Sequence, residues 1–510
     1  MPHAAVCASC GSAVGHQLAE HIESTHGQAS LVAAIIADMR DGQPPEAIGR
    51  KYGISSHRLE ELVTEAVGVN VSSLRPKRIR SWSPRTFSAE TTTVWSFKSR
   101  GNWATHSGHY RGNWSPYIPR NVITRYSQPG ELVLDAFVGS GTTAVEAKLL
   151  GRRCLGLDVN PAAIELSRGN VAFDAPKSLF RECYEPELRV GDARDLSFLT
   201  EGAVGLICTH PPYAGIISYS ADLPGDLSRM SEGHYLDAME DAAREFYRVL
   251  APGRKCAVLL GDTRRERRVV PLGLRTIGRF LRVGFRLREL VIKRQHNCRT
   301  TGFWYERSLR YGFLLLAHEF LPIFEKPPAG YSPPATPCEE VGLRSRPLAN
   351  ALAEPPTMET TTVWLLPRRE SDAVLKANLM HRFAPHGDCV EFTPEDAGGN
   401  GAARAEAVLI RAPTGSSLAR WRGWINALVD VAARADARFL LVEAQDVRDA
   451  EGFVEPNALS VLPRMAPQAK WRLREIVVLA PEQESGDASE NRLAITHRYL
   501  LVFDRQEDAE

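Results

Sequence analysis

Between residues 29 and 68 apolar positions recur at helical spacing in three short runs. "SLVAAIIADMRDG" predicts a helix that stops at Gly42. "PPEAIGRKYG" opens on proline, which suits a first helical turn, and closes on Gly53, where a left-handed cap costs little. "ISSHRLEELV" offers Ser55 or Ser56 as N-cap and carries Leu59, Leu62 and Val63 on one face. From residue 90 to 326 the pattern changes. Short apolar runs alternate with amphipathic stretches, which predicts a mostly parallel α/β sheet. "KPPAGYSPPATPCEE" breaks this pattern with prolines that continue neither a helix nor a central strand, so residues 327–358 read as a linker. A second α/β pattern covers residues 359–505, ahead of a polar tail.

The two α/β regions share phrases. "ETTTVW" occurs at residues 90–95 and again at 359–364. "AVGLICTHPPYAG" is echoed by "EAVLIRAPTG", "VLLGDTR" by "LVEAQDVR", "FRLRELVIK" by "WRLREIVVL", and "HEFLPIF" by "HRYLLVF", all in the same order. Five ordered matches predict a duplicated fold. The second copy has Arg411-Ala412-Pro413-Thr414-Gly415 where the first has its paired prolines, which predicts a degenerate, non-catalytic unit serving DNA contact, pseudo-dimer packing or target recognition.

Composition narrows the partners. The 510 residues carry a formal net charge of +1, so any nucleic-acid surface is local. Apolar runs are too short for a membrane span, and the start lacks a secretory pattern. Nine scattered cysteines suit a reducing cytoplasm, with a nucleoid-associated location expected. Cys7, Cys10, His21 and His26 follow C-x2-C-x10-H-x4-H, a donor set for tetrahedral zinc in residues 1–28, with His16 able to replace either histidine. The helices of residues 29–70 resemble a helix-turn-helix, with His57 and Arg58 facing a DNA major groove. The linker over residues 71–89 carries "RPKRIR", with Arg75, Lys77, Arg78 and Arg80 available to phosphates.

The chemistry concentrates in two motifs. In "ELVLDAFVGSGTTAVEAKLLGRRCLGLD", a buried strand leads into a turn whose Gly139 and Gly141 let a ligand approach the backbone. The following helix points its N-terminus at that ligand, and Asp158 ends the next strand at the distance suited to ribose hydroxyls. "VGLICTHPPYAG" ends a strand in His210, Pro211, Pro212 and Tyr213. The prolines hold the chain stiff and leave their carbonyls as acceptors, and the aromatic offers a stacking face. Acceptors on the N–H groups of an exocyclic amine help that nitrogen become tetrahedral and attack a sulfonium methyl.

These motifs resemble the amino DNA methyltransferases, which methylate cytosine N4 or adenine N6. "DAFVGSGTT" is similar to their D-x-F-x-G-x-G-T-T motif and "HPPY" to their [D/N/S]-P-P-[Y/F/W] motif, over roughly residues 90–326. The resemblance implies a Rossmann-like sheet of seven strands, with one antiparallel strand near the edge. It implies S-adenosylmethionine as cofactor, with Asp135, Phe137, Gly139, Ser140, Gly141 and Thr142 around its methionine end, Asp158 at its ribose and Asp192 near its adenine. "GNWSPYIPRNVITRYS" looks like the segment that closes over the methionine moiety. His210 departs from the family. A neutral imidazole still accepts a hydrogen bond, so methylation is expected to fall as His210 protonates between about pH 8 and 5.5.

Two loops then suit base flipping in double-stranded DNA. "GDTRRERRVV" supplies Arg264, Arg265, Arg267 and Arg268, and "KRQHNCRTTGFWYERSLR" interleaves Arg294, Arg299, Arg307 and Arg310 with Phe303, Trp304 and Tyr305. Phe303 and Trp304 serve equally well as packing anchors. The expected function is site-specific DNA methylation, leaning to cytosine N4 with adenine N6 the alternative. Host modification, with a restriction or defence partner, is the expected setting. A DNA-binding regulator that senses cofactor without catalysis is the reading from another class.

Overall fold

The N-terminal staple and the three helices take the forms their caps dictate. In the computed structural model, β1 (Ala5–Val6) pairs antiparallel with β2 (Ala13–Val14), followed by α1 (Leu18–His26). Then come α2 (Gln28–Arg40), α3 (Pro45–Tyr52), which Gly53 ends in the left-handed region, and α4 (Ser56–Val67). The Ser55 hydroxyl caps α4 by accepting from the Arg58 backbone N–H at 3.1 Å. The structure describes residues 5–7, 10–14, 17–68, 79–110, 112–174, 183–214, 223, 225–296, 301–332, 338–349, 354–355, 358–396, 404–413, 417–468, 470–482 and 492–506.

The first α/β unit runs β3 (Val94–Ser96), α5 (Tyr117–Tyr126), β4 (Leu132–Asp135), α6 (Thr142–Leu149), β5 (Arg153–Asp158), α7 (Pro161–Val171), β6 (Glu187–Val190) and β7 (Val204–Thr209). It continues with α8 (Glu232–Val249), β8 (Leu250–Val258), β9 (Thr263–Arg265), β10 (Arg268–Val270), α9 (Leu272–Val283), β11 (Arg286–Arg294), α10 (Thr301–Tyr311) and β12 (His318–Glu325). Its sheet has eight strands in the order β3-β11-β12-β8-β7-β4-β5-β6. The expected seven are therefore joined by an eighth. The "TVW" of the first hexamer adds β3 parallel to β11, so the antiparallel β12 lies two strands in from that edge.

The second unit has β13 (Val341–Pro347), β14 (Val363–Leu366), α11 (Ser371–Phe383), β15 (Cys389–Asp396), β16 (Ala407–Ile410), α12 (Leu418–Arg434) and β17 (Phe439–Ala444). The hairpin β18 (Val447–Arg448) and β19 (Val454–Glu455), α13 (Asn457–Met465), β20 (Trp471–Pro481) and β21 (Arg498–Arg505) complete it. Its order is β13-β15-β16-β17-β21-β20-β14. The expected linker over 327–358 is corrected here: its residues 341–347 form an edge strand antiparallel to β15, with Pro347 tolerated at the strand end.

The duplication is realised at the level of register. β3 pairs parallel with β11 through Val94–Ile292, and β14 with β20 through Val363–Val478. Both long strands shift register at the same place, between Leu287 and Glu289 and between Leu473 and Glu475. Trp95 and Trp364 are both fully buried, and each indole N–H donates to the carbonyl three residues earlier, at 2.9 and 3.0 Å. Asn121 of α5 and Asn378 of α11 accept from the backbone N–H of Glu90 and Glu359, the first letters of the two hexamers.

The hexamers also join the halves. Thr93 N–H donates to the Ala494 carbonyl and Ala494 N–H to the Thr91 carbonyl, as Thr362 donates to Leu315 and Leu315 to Thr360 in reverse. Arg264 donates to the Glu475 carboxylate at 2.6 and 3.1 Å and to the Leu314 carbonyl at 2.8 Å. Its counterpart Arg448 binds the Glu289 carboxylate and donates to the Leu493 carbonyl at 2.8 Å. Both glutamates are essentially inaccessible. The contact is thus isologous, like a two-fold dimer interface built within one chain. Removing one partner of a buried ion pair strands a charge, so Arg264→Met is expected to lower stability by about 3–5 kcal/mol. Chemical denaturation would measure this, and a change under 1 kcal/mol would argue against the interface described.

Candidate active site

The loops at the carboxyl ends of β4, β5, β6 and β7 converge on one cavity lined by Asp135, Phe137, Gly139, Ser140, Thr142, Asp158, Asp192, His210, Pro211 and Pro212. Gly139 and Gly141 have φ values of +50° and +84°, conformations that side chains resist. A Cβ on Gly141 would lie 2.5 Å from the Ser167 hydroxyl, so Gly141 supports the turn without lining the cavity. The backbone N–H of Gly139 donates to Asp158 Oδ2 at 3.0 Å, which ties the glycine turn to the end of β5. Asp135 accepts from the Thr209 hydroxyl at 2.6 Å and from the Phe137 backbone at 3.1 Å. Burial pushes both Asp135 and Asp158 up to about 6, against the hydrogen bonds that favour their ionised forms. Asp192 is held by the Arg194 guanidinium at 2.6–3.2 Å. Three carboxylates around a narrow cleft fit a ligand bearing positive charge.

A second cavity, of about 590 Å³, shares His210, Pro211, Pro212, Asn113 and Trp114 with the first and adds Arg100, Tyr213, Asp262, Lys293, His318 and Glu319. The His-Pro-Pro strand end is therefore the wall between two chambers. Trp114 stacks on the His210 ring at 5.5 Å between centroids. Glu319 accepts from the Tyr213 hydroxyl at 2.8 Å and from the Lys293 ammonium at 2.6 Å. The Tyr213 hydroxyl lies 3.0 Å from His210 Nε2. Since Tyr213 gives its proton to Glu319, it accepts from His210, which places the imidazole proton on Nε2 and leaves Nδ1 as the acceptor. Burial opposes ionisation of Glu319, but Lys293, His210 and Tyr213 together hold it down at about 2.

Tyr213 gains a role beyond the one its sequence position suggests. Its hydroxyl is engaged in orienting His210, and the stacking partner of the imidazole is Trp114. The expected acid limb also moves. Burial lowers His210 to about 4, with Glu319 acting upward and Lys293 and Arg100 downward.

One supporting feature escaped sequence reading. Glu146 on α6, fully buried, binds Trp103 and His106 at 2.7 Å and Arg120 at 2.9 Å. This pins the segment before α5, so that Asn113 meets the Thr142 hydroxyl at 2.5 Å on the cavity wall. The paired "NW" at residues 102–103 and 113–114 was its only visible trace.

The expected nucleic-acid residues divide. Arg264 is corrected: Glu475 and the Leu314 carbonyl occupy its guanidinium, so it belongs to the interface between the halves. Arg268 likewise pairs with Asp504. Arg265 is exposed, and Arg267 is exposed over the Tyr311 ring at 4.3 Å. Trp304 and Tyr305 stand 42% and 41% exposed on α10, so they do not act as packing anchors. Arg75, Lys77, Arg78 and Arg299 lie outside the described residues, as does the Phe303 side chain. His57 is exposed beside Glu61 at 3.5 Å, and Glu61 also meets Arg58 at 3.8 Å. The helical module packs on α7, where the Asn160 side chain donates to the Ala66 carbonyl at 2.9 Å.

At the N-terminus, ligand atoms of Cys7, Cys10, His21 and His26 lie within 4.8 Å of one another on a ββα frame. His16 lies outside the described residues. His26 Nε2 is buried without a hydrogen-bond partner among the described residues. Hydrogen bonds, first from Ser12 and then from His21 and His26, hold the Cys10 thiol down at about 5. This donor set fits a tetrahedral metal of the zinc type. Atomic emission on the purified protein is expected to find about one zinc per chain, lost in Cys10→Ser. A metal-free protein with the same thermal midpoint would remove the assignment.

Comparison with known proteins places the cofactor-side cavity in context. Residues 49–168 match the family model described as DNA methylase. Among curated relatives, the chain is 38% identical over 80 residues to the type II methyltransferase M.BglI of Bacillus subtilis, covering 15% of this chain and 23% of that one. It is 54% identical over 46 residues to the type II methyltransferase M1.MboII of Moraxella bovis, 8% of this chain and 18% of that one. It is 32% identical over 130 residues to a tRNA (guanine(10)-N2)-dimethyltransferase of Methanothermobacter thermautotrophicus, 25% of this chain and 35% of that one. The matched segments thus span about a fifth to a third of these relatives. Among solved structures, TrmN from Thermus thermophilus aligns with 21% identity and a TM-score of 0.28 over 42% of this chain and 50% of that one.

The pH dependence follows from the two sets of groups. Asp135 and Asp158 are raised carboxylates, so affinity for a cationic ligand is expected to weaken as pH falls through about 6. His210 is a depressed base, so its own protonation is expected to enter only near pH 4. A pH profile of affinity would check the first. Titration of the His210 imidazole itself near the ordinary histidine value, about 6.5, followed by NMR, would contradict its burial.

Proposed function

Given that this chain carries the methylase region of the amino DNA methyltransferase family, we propose that it is an enzyme methylating an exocyclic base amine in double-stranded DNA at specific sites. The observation that carries the reading is the shared wall: His210, Pro211 and Pro212 border both the carboxylate-lined cavity and the larger one. S-adenosylmethionine, when bound, supplies a methyl group on a sulfonium. Its positive charges suit Asp135 at the methionine end, with Phe137, Ser140 and Thr142 alongside, while Asp158 suits the ribose hydroxyls and Asp192 the adenine end. The larger cavity takes the extruded nucleotide.

This chain's residues then hold the amine for attack. His210 Nδ1 accepts one amine proton in hydrogen bonding, and the rigid Pro211–Pro212 segment supplies carbonyl acceptors beside it. Drawing on the N–H groups concentrates the nitrogen lone pair away from the ring. Glu319 and Tyr213 fix the His210 tautomer, and Trp114 fixes its plane. Lys98 and Arg100 on the cavity wall suit the phosphates of the extruded nucleotide. Arg265, Arg267, Trp304 and Tyr305 form an exposed cationic and aromatic surface suited to the duplex. The zinc-type finger and helical module serve as a DNA-facing accessory. The second α/β unit works as a non-catalytic partner within the chain. There Arg411, at the position of the catalytic strand end, is bound by Glu391 at 2.8 Å, Glu443 at 3.2 Å and Asp372.

Cytosine N4 remains the favoured target, with adenine N6 the alternative. Incubation with labelled S-adenosylmethionine and DNA from a host lacking the protein is expected to label the DNA. His210→Ala should lose about 100-fold or more in turnover while still binding cofactor. Single-molecule sequencing of DNA from expressing cells should then give base and site together. Cofactor binding without label transfer would favour the regulator reading.

A further inference from the structure

The two halves carry the same hydrogen-bond relay with one atom changed. In the second half, Thr93 Oγ1 accepts the Thr496 backbone N–H at 3.2 Å and lies 2.8 Å from His497 Nδ1. Because the Tyr499 hydroxyl gives its proton to Asp446, it accepts from the imidazole, which carries its proton on Nε2 and takes the threonine proton at Nδ1. The Nε2–H donates to the Tyr499 hydroxyl at 2.8 Å, which donates to Asp446 Oδ2 at 3.1 Å. Asp446 Oδ1 accepts from the Asn457 backbone at 3.1 Å.

In the first half every part recurs but the hydroxyl. Thr362 Oγ1 accepts the Ala317 backbone N–H at 3.0 Å and lies 2.9 Å from His318 Nδ1, the contact Thr93 makes with His497, and by that correspondence the proton is assigned to Nε2. Asp262 Oδ1 accepts from the Gly273 backbone at 2.9 Å. Phe320 stands where the other half has Tyr499. Its ring meets the histidine at 5.0 Å and 83°, against 5.0 Å and 78° for Tyr499. His318 Nε2 and Asp262 Oδ2 are consequently buried without a hydrogen-bond partner among the described residues. Both residues are over 90% buried, and both line the larger cavity together with His210 and Pro211. Their side chains adjoin that cavity, and two buried polar atoms left unpaired are costly unless a ligand entering it reaches them.

We propose that His318 and Asp262 bind the amidine edge of the target base, an inference that rests on the methyltransferase reading above. The ring nitrogen beside the amine accepts from His318 Nε2–H, and one amine N–H goes to Asp262 Oδ2. The other amine N–H faces His210 and Pro211. Cytosine and adenine both present this acceptor–donor edge. Thymine presents a ring N–H beside a carbonyl there, which opposes the His318 N–H, so the pair rejects thymine. Burial raises Asp262 to about 7, with Gly273 and Arg264 acting downward, so its ionised form is populated at neutral pH. Burial keeps His318 neutral to about pH 4.

Phe320→Tyr tests the pair with one added oxygen, because it rebuilds the relay of the second half. Methylation kcat/KM is expected to fall at least about tenfold, with thermal midpoint and cofactor affinity unchanged. An unchanged rate in a folded variant would overturn the proposal. Should the variant fail to fold, wild-type enzyme is assayed on duplexes whose target carries 3-deazacytosine or 1-deazaadenine. A fall of about tenfold or more is expected there, and equal turnover would overturn the proposal. In a folded variant the two losses should overlap, because both remove one contact. Wild-type enzyme that binds S-adenosylmethionine and moves no methyl to DNA would instead overturn the methyltransferase reading, and the base-edge pair with it.

Discussion

Two buried glutamates, each bound by an arginine from the other half, set the geometry of this chain. Glu289 and Glu475 sit at matching bulges in β11 and β20, where a ladder residue is displaced and a carboxylate turns inward. Neither could stay ionised there alone, since an unpaired buried carboxylate is strongly disfavoured. Arg448 and Arg264 supply the opposite charges and also cap backbone carbonyls at Leu493 and Leu314. Each half thus carries a charge that only the other half neutralises. This makes the docking mutual and fixes the angle between the two sheets.

That docking reaches the active site through the repeated hexamer. Thr362 belongs to the second copy of "ETTTVW", yet its hydroxyl orients His318 in the first unit. Thr93 returns the same contact to His497. Duplication followed by divergence has kept both structural contacts and changed one aromatic, Phe320 against Tyr499. In one half a hydroxyl closes the relay. In the other the same two side chains line a cavity beside the His-Pro-Pro strand end. The second unit therefore contributes to the proposed chemistry without holding a catalytic motif.

Burial tunes the site in two opposite senses. Asp135 and Asp158 are raised, which makes them receptive to a cationic ligand that restores their charge. His210 is lowered, which keeps its imidazole an acceptor across the physiological range. The charged Glu319–Lys293 pair lies one hydroxyl away, so it sets the tautomer of His210 without adding a proton to it. A histidine in place of the family's usual acid, Asn or Ser is thus compatible with the acceptor role.

Local signals in the sequence determined the caps at Gly53 and Ser55, the glycine turn after β4, the stiff end of β7 and the order of the repeats, because each depends on backbone preferences within a few residues. The cofactor-side residues were legible for the same reason: a turn, a helix start and a strand end lie close together in the chain. Sequence could not show that β3 adds an eighth strand, that β13 begins inside the proline-rich segment, or that Arg264 faces a glutamate 211 residues away. Nor could it show that the Tyr213 hydroxyl orients His210, or that Asp262 and His318 meet at one cavity. Those facts depend on which surfaces pack together and how much water the packing removes, and only the tertiary structure decides them.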